Sequence, residues 1–242
     1  MKYLIITLTI LLFSACSHEP KTSEILQTNS ATIISRDYRD LTKFLLKYKK
    51  ILDLRNPSLW DKKLSHRVIF DITHNLDTIK LLKNNSYKSY LFKAFAKETK
   101  KRNDYLILGL YKMFYNSYHI KGGHHITALG YDVKTFKDTY NTLRVVKWKI
   151  ANAKDDKGRF LFATWQLNWQ LELNKRYHNI TIKNIAELPS LKNHKESLLE
   201  HQNFNFEIIL SLMLDRVKHS LEAMGEEPSN LSISAIKAMI FL

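Results

Sequence analysis

The chain reads as an all-α, multi-helix bundle, and three observations predict it. Only six glycines and four prolines punctuate 242 residues, so few tight turns can be built and long helices are favoured over a many-stranded sandwich. Hydrophobic residues make up 45% of the chain, enough to bury a core. Through most of the sequence those residues recur every three or four positions, which is the helical period. One stretch departs from this. In 160–175, Leu161, Ala163, Trp165, Leu167, Trp169, Leu171 and Leu173 alternate as in a strand, while Phe162, Trp165, Trp169 and Leu173 also share a helical face. A helix is expected there, with a short β-hairpin around 160–185, paired through 177–185, as the alternative.

The first residues stand apart. Lys2 leads an apolar run from Tyr3 to Phe13, then small Ser14 and Ala15, then Cys16, the single cysteine. This is the pattern of a removable export signal. The run falls well short of the roughly 20 apolar residues of a permanent span. Ordinary secretory cleavage after Ala15 would place bulky Phe13 at the −3 position, where a small side chain is wanted. The tetrapeptide Phe13-Ser14-Ala15-Cys16 instead resembles the lipobox of bacterial lipoproteins. That resemblance covers residues 1–16. It implies a lipoprotein signal peptide over 1–15, lipidation of Cys16 with palmitate-type chains, and a membrane-anchored life in the cell envelope, facing the periplasm. Ser17 stands where inner-membrane lipoproteins of this kind carry Asp, which by the same likeness favours the outer membrane. A diacylglyceryl group plus an amide-linked chain is an effectively permanent tether, since each buried methylene contributes about 0.8 kcal/mol.

Residues 16–34 are polar and lack apolar periodicity, and are expected to form a flexible tether. A single helical domain is expected over 35–242. Ser35 is the expected N-cap of its first helix, with Leu41, Phe44, Leu45, Tyr48 and Leu52 on one face and Asn56-Pro57 as the stop. Ser58 is the expected cap of a second helix carrying Trp60, Leu64, Val68, Ile72, Leu76 and Ile79, broken by Asn84-Asn85-Ser86. A third is expected from Tyr87 to Lys101 with Leu91, Phe92 and Phe95 inward. Asp104 opens the most apolar helix of the mature chain. Leu108, Tyr111, Tyr115 and Tyr118 form one stripe, and Ile107, Leu110 and Phe114 form a second beside it. A helix apolar around so much of its circumference is central. Gly109, costly in a helix interior by about 1 kcal/mol, is expected to mark a close approach, and Gly122-Gly123 to supply the left-handed stop. Asp132 caps a helix with Phe136, Tyr140, Leu143, Val146 and Ile150 in phase, and 155–158 is a turn. Ser190 opens a short helix to about His201. A strongly amphipathic helix then runs from Phe204 to Met224, and a last apolar one from Ser232 to Leu242.

The formal net charge is +15, which suits acidic surroundings: anionic lipid, lipopolysaccharide or an acidic protein. Export argues against nucleic acid. The lysines are spread along the chain rather than run together, so a solvated basic surface explains the balance equally well. Lys147-Trp148-Lys149 is one place where an aromatic and two bases can meet a head-group layer. With Cys16 lipidated, no thiol remains for a disulfide, a nucleophile or a cysteine metal site.

The chain has no G-x-S-x-G, no H-E-x-x-H, no phosphate-cradling glycine loop and no Glu-x-x-His pair. Two clusters of polar groups remain. His119, His124, His125 and Asp132 surround a glycine turn and can hold zinc or iron if they converge; as partly exposed residues at a helix end they bind nothing. Asp71 and His74 share a helical face from which Asp77 has rotated, and a solvated face is expected there. The favoured reading is a lipid-anchored, non-enzymatic helical module with no cofactor, binding an anionic or acidic envelope partner. The alternative is a metal-assisted periplasmic hydrolase using the His119–Asp132 turn.

Overall fold

The structure is a computed structural model and describes residues 28–56, 59–77, 86–158, 160–162, 164, 187–192 and 204–228. The described residues form an all-α fold, mostly helical, as the period predicts. Among the described residues it forms α1 (Asn29–Arg55), α2 (Lys62–Thr73), α3 (Tyr87–Phe95), α4 (Arg102–Ser117), α5 (Val133–Asn152) and α6 (Phe204–Ala223), with one helical turn at Pro189–Lys192. Short 3-10 turns at Ile120–Gly122 and Ala128–Gly130 join α4 to α5. No described helix is long and apolar enough to cross a membrane.

The bundle is built around α4, and the reason is in its sequence. All of Leu106 to Leu110 and Tyr111 to Tyr115 is buried, and the helix is walled by α1, α2, α3 and α5. Both stripes are core. In the one that carries tyrosines, Tyr111 Oη donates to the carbonyls of Asp71 (3.1 Å) and Leu76 (2.9 Å), and Tyr118 Oη pairs with Ser220 Oγ at 2.9 Å. Gly109 is a point of close approach, as expected. A Cβ there would lie 2.8 Å from Leu91 Cδ2 and 3.2 Å from its backbone nitrogen, so α3 rests directly on the α4 backbone. Helix α1 packs against α6 as well as α4. Its buried seam is Ala31, Ile34, Tyr38, Leu41, Leu45, Tyr48 and Leu52, an alternation of three- and four-residue steps suited to a nearly parallel neighbour.

Several element boundaries differ from the expected ones, each for a local reason. Helix α1 starts at Asn29, because Thr28 Oγ1 accepts from Ala31 N–H and caps it; residues 29–34, read as tether, belong to the helix. Asp61, not Ser58, caps α2, accepting from Leu64 N–H at 2.8 Å. That helix ends at Thr73 rather than continuing to Ile79. Asn75 turns left-handed (φ 52°) and Leu76 N–H reaches back to Asp71 O at 2.8 Å, the Schellman closure that asparagine can supply in place of glycine. Helix α3 stops at Phe95, not Lys101, and Phe92, expected inward, is 74% exposed, because the short helix buries Tyr90, Leu91 and Ala94 instead. After α4 the left-handed residue is His119 (φ 56°), with Gly123 (φ 81°) closing the following turn.

Helix α4 starts at Arg102, two residues before Asp104, and Ser190 lies inside the turn Pro189–Lys192 rather than capping it. Asp132 caps α5. Gly158 (φ 73°) turns the 155–158 loop, beside an isolated antiparallel bridge between Lys154 and Phe160. Gly225 (φ 79°) ends α6, with Glu226 N–H returning to Leu221 O at 3.0 Å. Cys16, most of 160–185 and the helix expected at 232–242 lie outside the described residues.

Candidate functional site: a basic groove over a buried lysine

The C-terminal end of α1 carries two rows side by side. Tyr48 and Leu52 face the core, and the next row, Leu46, Lys49, Lys50, Asp53 and Leu54, turns towards α2. Lys49 is 1% exposed, a position where an ammonium is costly unless it is paired. It is paired twice: with Asp53 one turn on, and with Asp104 Oδ1 at 2.8 Å across the helix interface. It also sits over the Trp60 ring, 5.6 Å from its centroid. Asp104 lies in the first turn of α4, where the helix dipole favours a carboxylate, and its Oδ2 accepts from Asp61 N–H at 2.7 Å. Burial pushes the Asp104 carboxyl up, and Lys49 and the Asp61 amide pull it back down. Neighbouring Asn103 Nδ2 donates to Asp53 Oδ1 (2.9 Å) and to the carbonyl of Asn56 (3.2 Å). One charged cluster thus fastens the end of α1, the cap of α2 and the start of α4.

Above that cluster runs a groove of about 620 Å³, lined by Leu46, Lys50, Leu54, Trp60, His66 and Ile69, with Lys49, Asp53 and Ser65 completing its lining. Its floor is apolar: Leu54 is 75% exposed and Ile69 38%, and both line the same cavity. Its edge is basic. Between Lys47 and Ile69 the sequence holds seven Lys and Arg against two Asp, and both aspartates are engaged, Asp53 with Lys49 and Asp61 with Lys101 and the α2 cap. Lys47, Lys50, Lys62, Lys63 and His66 are exposed and carry no ion pair among the described residues. Lysines that look scattered along the chain therefore fall on the two helices, α1 and α2, that wall this groove. The signal was present as K-x-K-K at 47–50 and W-D-K-K at 60–63, but only the reversal at Asn56 brings the two runs together.

The histidine turn does not converge in this way. His119 and His125 stack with centroids 4.3 Å apart and planes 27° apart, and Gly122 and Gly130 make room for them, since a Cβ at either would meet an imidazole at 2.5 or 2.6 Å. Ring-nitrogen lone pairs lie in the ring planes, so near-parallel rings direct them side by side rather than to one point. His124 turns away, its Nδ1 3.2 Å from Tyr131 Oη, and Asp132 is occupied as the α5 cap. Among the described residues no group of three or more His, Cys, Asp or Glu side chains is placed to hold a metal ion.

Asp71 also differs from expectation, whereas His74 is exposed as expected. Asp71 is 1% exposed rather than solvated, held by Arg67 Nε at 2.7 Å. His74 caps the end of α2, its Nδ1 2.8 Å from Phe70 O. Asp77 lies 4.0 Å from Lys112. Lys147, expected near a head-group layer, is paired with Glu207 of α6 and 3.0 Å from Ser211 Oγ, and Lys149 lies 5.2 Å from the Phe95 ring centroid.

No family model, curated protein or solved structure matches this chain.

One further cluster was invisible in the sequence. Buried Asp37 of α1 meets His219 Nδ1 at 3.1 Å, Ser220 Oγ at 2.9 Å and Arg216 at 3.5 Å on α6. The residue types are those of a hydrolytic triad, but the wiring is not. Ser220 is fully buried and bonded to the acid and to Tyr118 rather than to the imidazole, so no base addresses its hydroxyl. The cluster clasps α1 to α6.

Proposed function

We propose that this protein is a lipid-anchored, non-enzymatic binding module of the bacterial envelope, held by acyl chains on Cys16 and engaging an anionic or acidic partner through the basic edge of the α1–α2 groove. The observation that carries this reading is that Lys50 and His66 line one apolar cavity, with Lys47, Lys62 and Lys63 exposed on the same two helices and the nearby carboxylates already neutralised. Such a field draws anions to a defined place and adds specificity where the apolar floor can be covered. Paired charges elsewhere, such as Lys147 with Glu207, contribute less.

The test is binding of the purified protein without its acyl chains (Cys16→Ala) to vesicles of anionic phospholipid and to lipopolysaccharide, against zwitterionic vesicles. Binding to the anionic surfaces is expected at low salt and is expected to disappear at 1 M salt, where the Debye length is about 3 Å. Lys50→Glu with Lys62→Glu and Lys63→Glu is expected to abolish it, whereas Lys147→Glu leaves it. Equal binding by the triple variant overturns the assignment of the basic edge.

A further inference from the structure

Resting on that reading, the geometry points to a ligand class: we propose that the α1–α2 groove takes a long-chain fatty acid, its acyl chain along Leu46, Leu54, Trp60 and Ile69 and its carboxylate against Lys50 and His66.

The cavity, about 620 Å³, lies within the 300–1,000 Å³ typical of small-molecule sites. Two of its polar side chains are already engaged: Lys49 with Asp53 and Asp104, and Asp53 with Asn103. An extended peptide laid in the groove would bring a run of backbone N–H and C=O groups against a mostly apolar lining, and burying those groups unpaired is costly. A methylene chain has no such need, and burying each methylene is favourable. Leu54 of α1 and Ile69 of α2, both open to solvent and both lining the cavity, are the surfaces such a chain covers.

The headgroup follows from charge. Lys50 and His66 both line the cavity and have no acidic partner among the described residues, while Lys47, Lys62 and Lys63 extend the same positive field. A carboxylate at the edge completes the Lys50 and His66 pairings. A neutral lipid alcohol or ester leaves them unpaired and gains only from the chain.

The experiment uses the full-length protein in isolated membranes and a palmitic acid bearing a photoactivatable diazirine and an alkyne handle. After illumination, labelled peptides are located by mass spectrometry. Labels are expected within 46–54 and 60–69. Excess palmitate should compete, and methyl palmitate should not. Leu54→Glu with Ile69→Glu places charges on the exposed floor without disturbing the core, and is expected to cut labelling at least about tenfold, equivalent to 1.4 kcal/mol; Lys50→Glu should cut it as well. Labelling confined to other segments, or displaced equally by the methyl ester, overturns the fatty-acid assignment. Absent labelling while salt-sensitive vesicle binding persists overturns this inference alone. Loss of both overturns the binding-module reading with it.

Discussion

Lys49 Nζ lies 2.8 Å from Asp104 Oδ1, and neither side chain is more than 1% exposed. The pair joins residues 55 apart in sequence at the point where three helices meet, and its lysine is one of the residues that line the candidate groove. A buried ion pair adds little over a well-packed apolar pair, but removing one partner leaves an uncompensated charge.

Lys49→Met is therefore expected to destabilise the protein by about 3–5 kcal/mol, because Asp53 and Asp104 would then face each other without the ammonium. Adding Asp104→Asn should restore part of that loss, a non-additivity that neighbouring charges show and distant sites do not. Urea unfolding of the two single variants and the double variant measures it. A Lys49→Met cost below about 1 kcal/mol, within the range of an exposed pair, would show that the ammonium is not buried as described.

What was legible in the sequence was the part written in local pattern. The all-round apolar α4, the Asp132 cap and the Gly225 stop depend on neighbours within a turn or two, and each stands where the period placed it. The Lys49–Asp104 pair was not legible, because a lysine beside a core stripe reads as solvent-facing until its partner 55 residues away is known. The start of α1 was missed for a related reason. Ala31 and Ile34 continue its buried seam, but they sit among polar residues that dilute the pattern. The end of α2 was missed because Leu76 and Ile79 keep the helical phase past Asn75, and phase carries no information about a left-handed residue between. Asp37, His219 and Ser220 gave no signal at all: their meeting is a product of α1 packing on α6.

Gly109 provides a second test of packing. Alanine there gains about 1 kcal/mol in helix propensity, yet its Cβ would stand 2.9 Å from Leu91 Cγ and 3.2 Å from Leu91 N. The backbone atom cannot yield by rotamer change, so overpacking of about 1–3 kcal/mol is expected to outweigh the gain. Gly109→Ala should lower thermal stability, and should do so less in a Leu91→Ala background. Stabilisation by Gly109→Ala alone would mean that α3 does not rest on α4 at this point.

The anchor is tested at a single atom. Replacement of Cys16 by alanine removes the only thiol in the chain, and is expected to abolish incorporation of a fatty-acid analogue during growth and to release the protein from washed membranes. Undiminished labelling of Cys16→Ala would sink the lipoprotein proposal while leaving the groove untouched.

His124 supplies the pH dependence. Burial, reinforced by the charges of Arg39 and His125, pulls its imidazole down from 6.5 to about 4, and it is held neutral beside Tyr131 Oη. Between these values the unfolded chain binds a proton that the native state refuses, so the stability it contributes is complete above pH 6.5 and is lost as pH falls towards 4. The loss amounts to roughly 2–3 kcal/mol, because a tenfold difference in proton affinity between the two states corresponds to about 1.36 kcal/mol. His125, also pulled down by burial, acts in the same direction. Asp37, Asp71 and Asp104, pushed up by burial, act oppositely: above pH 3.8 the native state retains protons that the unfolded chain has lost, so they favour folding as pH falls. The net curve therefore mixes both signs, and the variant isolates one. Urea unfolding of wild type and His124→Gln at pH 7.0 and pH 4.5 is expected to show the difference between them shifting by roughly 2–3 kcal/mol in favour of the variant at the lower pH. Parallel pH dependence of the two proteins would place His124 in water rather than against Tyr38 and Tyr131, contrary to the 5.6 Å ring contact with Tyr38.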